Sequence, residues 1–172
     1  MPHKVAYILG TSRSDGNTRR VLDHINAKAK APLFDLAKLN ISYFDYEARN
    51  LSDDFIPLIE SLRDVSNIGF VSPMYWYTVS AQLKTFIDRL SDLLGPRKDL
   101  GSMLRGKGTF LLATGSTEKQ IAPGMVELIK RTSEYMGMVY RGAHYVHVQT
   151  DLVLSPGQLK GAEAFVGEIM HE

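Results

Sequence analysis

Gly10-Thr11-Ser12-Arg13-Ser14-Asp15-Gly16-Asn17-Thr18 lies between a short apolar run, Lys4 to Leu9 (KVAYIL), and a segment, Arg19 to Lys30, with apolar residues at Val21, Leu22, Ile25 and Ala29. The first run reads as a buried strand and the second as an amphipathic helix, so the nine residues form a polar strand-to-helix turn. Gly10 and Gly16 offer backbone angles closed to other residues. Thr11, Ser12, Ser14, Asn17 and Thr18 supply hydroxyl and amide donors, and the helix N-terminus adds unpaired N–H groups with partial positive charge. Such a turn can hold a phosphate without a metal. A turn that only caps its helix is the plainer alternative.

What the turn lacks narrows its ligand. A nucleoside triphosphate loop reads G-x-x-x-x-G-K-[ST], but here Asn17 precedes Thr18 and the loop has no lysine, which argues against ATP or GTP. The dinucleotide signature G-x-G-x-x-G is also missing, because Thr11 and Ser12 follow Gly10 where a second glycine would let a pyrophosphate approach. One terminal phosphate monoester fits better.

The 172 residues, 44% of them apolar, suffice for one sizeable core, so residues 1–172 are expected to form a single domain. The 20 basic and 19 acidic residues leave a net charge of +1, with nothing to steer the chain toward nucleic acid. The absence of cysteine excludes disulfides, C-x-x-C redox pairs, cysteine-ligated metal clusters and cysteine nucleophiles. Redox chemistry would need a borrowed cofactor. Without a membrane-length apolar run or a signal-peptide pattern, a cytoplasmic protein with no membrane partner is the expectation.

Further along, Ile41 to Tyr46 reads as a strand. Phe55 to Arg63 reads as a short helix capped by Ser52 or Asp53, and Asn67 to Ser72 as a central strand covered on both faces. From Val79, apolar residues recur at helical spacing through Leu83, Phe86, Ile87, Leu90, Leu93 and Leu94, until Gly95-Pro96 ends the helix. Arg97 to Gly108 reads as a basic, glycine-punctuated loop and Thr109 to Thr114 as a strand. Thr114-Gly115-Ser116-Thr117 is a second small polar turn. A helix through Ile121, Met125, Ile129 and Met136 is capped by Gly137, a strand spans Val139 to Val148, and Leu159 to Met170 mark a last helix. This alternation predicts a doubly wound α/β fold, with a parallel five-stranded sheet between two helical layers. In such sheets ligands bind at the carboxyl ends of the strands, where the turns after Leu9, Ser72 and Ala113 fall.

Ser72-Pro73-Met74-Tyr75-Trp76-Tyr77 puts three aromatics, including the sole tryptophan, in one of those turns. A flat apolar ligand packing there would account for aromatics outside a core; a loop folded onto its own surface or into a subunit contact is the alternative. A monophosphate cradle combined with an aromatic wall describes flavin mononucleotide, FMN.

GTSRSDGNTRRVL (Gly10 to Leu22) and SPMYWYTVSAQLKTFIDRL (Ser72 to Leu90), followed in order by Leu104-Arg105-Gly106-Lys107 and Ala113-Thr114-Gly115-Ser116, resemble the hallmark segments of the flavodoxin-like NAD(P)H-dependent FMN reductases and quinone reductases. The resemblance spans most of the chain. It implies a flavodoxin-like sheet of order 2-1-3-4-5, tightly held FMN, and a homodimer or homotetramer with the flavin near a subunit interface. It further implies that Thr11, Ser12, Arg13, Ser14, Asn17 and Thr18 hold the phosphate, and that Pro73, Met74, Tyr75 and Trp76 wrap the ribityl chain and ring. Thr114, Gly115 and Ser116 would offer backbone N–H groups to the pyrimidine edge, where negative charge develops on reduction. No catalytic side chain is implied, because the cofactor carries the chemistry. The stretch from Asn40 to Asp64 bears no family signature.

The expected activity is transfer of hydride from NADPH or NADH to FMN and then to a small acceptor such as a quinone, azo dye, nitroaromatic or free flavin. A flavodoxin-type electron carrier is the alternative, although such carriers are usually strongly acidic. A flavin-free binding module on the same fold is a third reading. Arg19, at the start of the first helix, could face the phosphate, and Arg97, Lys98, Arg105 and Lys107 could meet the extra phosphate of NADPH; solvation is the plainer role for each. His144 and His147 lack partners at metal-ligand spacing, and Lys84 with Asp88 forms an ordinary i,i+4 pair.

Overall fold

In a computed structural model, which describes residues 3–116, 118–148 and 154–171, five parallel strands form a sheet of order β2-β1-β3-β4-β5. The strands are β1 (His3–Leu9), β2 (Leu33–Asp35), β3 (Val65–Pro73), β4 (Gly108–Gly115) and β5 (Val139–His147). Between and after them run α1 (Asn17–Ala29), α2 (Phe55–Ser61), α3 (Ala81–Arg89), α4 (Lys98–Leu104), α5 (Pro123–Tyr135) and α6 (Pro156–His171). Among the described residues no helix is long and apolar enough to cross a membrane.

Alternation along β1 sends Val5, Tyr7 and Leu9 to one face of the sheet and Ala6 and Ile8 to the other. The first face packs against Val21, Leu22 and Ile25 of α1 and Ala162, Val166 and Ile169 of α6. The second packs against α2, α3, α4 and α5 through residues such as Phe55, Leu83, Phe86, Leu104 and Ile129. Because both faces are covered, Ile68 to Val71 and Phe110 to Ala113 are apolar without a polar face. The three-layer, doubly wound fold is the one the alternation predicts, and the strand order is the one the family resemblance implies.

Four local expectations are corrected. The second strand is Leu33–Asp35, not Ile41 to Tyr46. A three-residue strand shows no periodicity, whereas Tyr43 and Tyr46, which make the later stretch look strand-like, point into solvent. Within the basic loop, Lys98–Leu104 is a helix, because Leu100 and Leu104, one turn apart, bury together against the core. The N-cap of α2 is Asp54 rather than Ser52 or Asp53, although Asp53 Oδ1 does accept from the Phe55 N–H at 3.0 Å. The helix from Val79 begins at Ala81 and continues beyond Arg89 as a tighter 3-10 segment, Leu90–Leu94. Gly137, in left-handed conformation with φ +74°, follows α5 as expected.

Candidate functional site

The turns after β1, β3 and β4 meet at the carboxyl edge of the sheet and line one cleft of about 520 Å³. Thr11, Arg13, Asn17, Thr18, Pro73, Met74, Tyr75, Trp76, Thr114, Gly115 and Ser116 all line it, so eleven of the thirteen expected residues come together. Ser12 and Ser14 are not among its lining residues, and Gly16 and Val148 are.

The first turn needs glycine for a reason other than the expected one. Neither Gly10 nor Gly16 is left-handed, and Gly16 is extended at φ −77°, ψ −178°. A Cβ on Gly10 would lie 2.4 Å from the Leu83 Cβ, so the residue permits close approach of the turn to α3. Two buried serines rivet that approach. Ser80 Oγ donates to the Gly10 carbonyl at 2.7 Å and accepts from the Leu83 N–H at 3.2 Å, while the Ser80 N–H donates to Ser72 Oγ at 2.9 Å. The sequence reading did not single out Ser80, although its place at the head of a helix is a readable N-cap signal.

In the second turn, Tyr75 and Thr78 exchange backbone hydrogen bonds of 2.9 and 3.1 Å. That leaves Trp76 and Tyr77 as the two central residues, at φ +49° and +64°. Positive φ at both positions is the type I′ pattern, normally filled by Asn-Gly. Bulky residues in this region cost about 1–3 kcal/mol each and persist where the surroundings or a function demand them. Trp76 is 92% exposed, so burial does not compensate. The turn holds a strained indole at the mouth of the cleft.

The third turn is tied down from several sides. The Met74 N–H donates to the Thr114 carbonyl at 2.7 Å and the Val148 N–H to the Gly115 carbonyl at 2.8 Å. Tyr145 Oη donates to the Glu118 carbonyl at 2.8 Å, and His147 Nδ1 lies 2.8 Å from the same oxygen. Burial, then the Glu118 carboxylate, pushes the Tyr145 phenol pKa up. Thr117, in the expected turn, falls outside the described residues.

From the first turn, Thr11, Arg13 and Thr18 line the cleft; no carboxylate lines it among the described residues. Asn17 also lines it, and its Oδ1 is buried without a hydrogen-bond partner. Arg19 is otherwise engaged, 2.7 Å from Asp23 and 3.6 Å from Asp35. Arg97, Lys98, Arg105 and Lys107 belong to the region before β4, at the amino edge of the sheet. There Arg97 pairs with Glu60 and Asp99, and Lys107 donates to the carbonyls of Arg63 and Val65. They stand at the opposite edge from the cleft. His144 stacks on Phe165 with ring centroids 5.5 Å apart.

The sheet order and the cleft at its carboxyl edge define a flavodoxin-like protein. Residues 3–152 match the family described as NADPH-dependent FMN reductase, and the chain belongs to that family, whose cofactor is FMN with NADPH or NADH as electron donor. YwqN of Bacillus subtilis strain 168, assigned as an NAD(P)H-dependent FMN-containing oxidoreductase, is 28% identical over 150 residues, covering 81% of this chain and 82% of its own length. The Trp repressor binding protein from Bacillus subtilis superposes with a TM-score of 0.75 at 24% identity, covering 95% of this chain and 97% of that one. An NAD(P)H:quinone oxidoreductase from Methanothermobacter marburgensis gives 0.69 at 18% identity, over 93% and 92% of the two chains. At these identities the two structures share the fold.

Proposed function

We propose that the 172 residues act as one domain that seats FMN in the carboxyl-edge cleft and reduces a small acceptor there. The observation that carries this reading is the make-up of the cleft: Thr11, Asn17, Thr18 and the Arg13 guanidinium, no carboxylate among the described residues, and Met74, Tyr75 and Trp76 in the same lining. That donor set, with no carboxylate to repel an anion, suits a phosphate dianion. Thr11, Arg13, Asn17 and Thr18, with the first N–H groups of α1, would bind it. Pro73, Met74, Tyr75 and Trp76 would flank the ribityl chain and ring, and the backbone of Thr114, Gly115 and Ser116 would meet the pyrimidine edge.

When bound, FMN supplies two-electron chemistry, taking hydride from NADPH or NADH and passing electrons to the acceptor. The chain's own part is to position and to stabilise charge: fixed backbone N–H groups favour the negative charge that develops on the ring. A quinone, azo compound, nitroaromatic or free flavin is the acceptor class. Donor and acceptor would use the same open face in turn, giving ping-pong kinetics. A homodimer or homotetramer is the assembly that the family resemblance implies.

The test is the visible spectrum of the protein after loading with FMN and removal of excess, followed by anaerobic NADPH or NADH. Retained flavin that bleaches with either nucleotide supports the reductase. Retained flavin that neither nucleotide bleaches points to an electron carrier, a role the net charge of +1 disfavours.

A further inference from the structure

We propose that a second groove beside the cleft holds the adenosine half of the dinucleotide donor, an inference that rests on reading the cleft as the FMN and nicotinamide site. The groove measures about 330 Å³, at the small end of the range for ligand pockets. Leu36 and Leu39 give it an apolar side, Tyr43 an aromatic one, and Ser12, Gln82 and Thr85 polar groups. No charged side chain lines it among the described residues, which suits an uncharged nucleoside. The Tyr43 ring, with the residue 83% exposed, is free to stack on a base. A Gln82 amide carries the donor and acceptor pair that adenine's N6 and N7 complement, and the hydroxyls of Ser12 and Thr85 suit a ribose.

Groove and cleft adjoin across one contact. Ser12, which the sequence places in the phosphate cradle, lines the groove instead, and its Oγ lies 3.1 Å from the Oη of Tyr75, which lines the cleft. A ligand with one ring at the cleft mouth, another in the groove and a polar bridge across these hydroxyls has the shape of a nicotinamide dinucleotide.

The wall of the groove is also preorganised, although residues 39–43 belong to no strand or helix. Asp54 Oδ2 accepts from the Asn40 N–H at 2.7 Å and Asp53 Oδ2 from the Ser42 N–H at 2.8 Å. Asn50 Nδ2 donates to the Tyr43 carbonyl at 2.6 Å. Buried Arg89 fixes Asp53 and donates to the Ser42 carbonyl at 3.1 Å. A buried ion pair is a poor source of net stability; here it holds Tyr43 in place.

Adenosine, which has no phosphate to compete for the cradle, is titrated calorimetrically into the FMN-loaded protein and its Tyr43→Ala and Gln82→Leu variants. In parallel, KM is measured for NADH and for reduced nicotinamide mononucleotide, which lacks the adenosine half. Saturable adenosine binding is expected, weakened about tenfold by Tyr43→Ala, with the NADH-to-mononucleotide KM ratio raised by a similar factor. Circular dichroism and flavin content show that the variants are folded. Absence of saturable adenosine binding, equal binding by wild type and Tyr43→Ala, or an equal rise in both KM values overturns the proposal. If the protein retains no FMN, the reading of the cleft fails by its own readout, and adenosine calorimetry still decides the groove.

Discussion

Thr18 Oγ1 and Thr114 Oγ1 lie 2.7 Å apart in a buried contact that fastens the start of α1 to the carboxyl end of β4. The first turn and the third turn thus share one link beneath the cleft. Thr18→Val or Thr114→Val leaves the other hydroxyl buried and unpaired, at a cost of about 1–3 kcal/mol. Urea unfolding should show this loss for each single variant. The double variant should lose less than the sum, because no orphan hydroxyl remains.

Trp76 and Tyr77 occupy backbone angles that suit Asn-Gly. Replacing the pair by Asn-Gly should stabilise the protein by about 1–2 kcal/mol as strain is relieved, while weakening FMN binding through loss of the aromatic wall. A urea midpoint that rises while FMN affinity falls is the expected pair of results. A midpoint that falls would mean that the two aromatics support the fold.

Arg89 is buried, with Nε 2.7 Å from Asp92 Oδ2, a close bond to Asp53 and its guanidinium carbon 4.8 Å from the centre of the Phe55 ring. Burial opposes charge on both Arg89 and Asp53. Burial is the largest single influence, but their mutual hydrogen bonds and attraction, together with the Ser42 and Phe55 N–H groups on Asp53 and the Asp92 carboxylate on Arg89, outweigh it, raising the arginine pKa and lowering the aspartate pKa. Arg89→Met strands two carboxylates and should cost about 3–5 kcal/mol. Adding Asp53→Asn and Asp92→Asn should recover much of that loss in the same unfolding assay. Because the folded Asp53 pKa lies below its unfolded value, its contribution to stability is present above about pH 4 and is lost as pH falls through the folded pKa.

Burial lowers the His144 pKa below its ordinary 6.5, beneath the stacked Phe165 ring. The unfolded chain therefore binds this proton more readily than the folded one. Stability from this site is full above the unfolded pKa and declines as pH drops toward the folded value. The difference in thermal midpoint between pH 7.5 and 5.5 should shrink in His144→Gln; an unchanged difference would assign the pH dependence to other groups.

The alternation of strands and helices and the turns of the cleft were legible because they rest on strong local signals, whereas the strand order came from the family resemblance. Near-continuous apolar runs mark strands covered on both faces, and the turns after Leu9, Ser72 and Ala113 carry residues suited to a ligand rather than a core. Leu33–Asp35 escaped notice because three residues carry no period, and Tyr43 misled because an exposed aromatic resembles a strand residue. The Arg89 network joins residues 36 and 39 positions apart in sequence, to Asp53 and Asn50, and no spacing rule reports such a contact. Ser12 illustrates a finer limit. Composition says that a turn can donate hydrogen bonds, whereas the path of the backbone decides which hydroxyls face the cleft.

FMN titration of the wild type and of Asn17→Asp tests the central claim most directly, because Asn17 lines the cleft at the N-terminus of α1. A carboxylate there would face the phosphate and offset the positive end of the helix, weakening FMN by about tenfold or more with the fold intact by circular dichroism. FMN affinity unchanged by Asn17→Asp would contradict the assignment of the cleft as the FMN phosphate site.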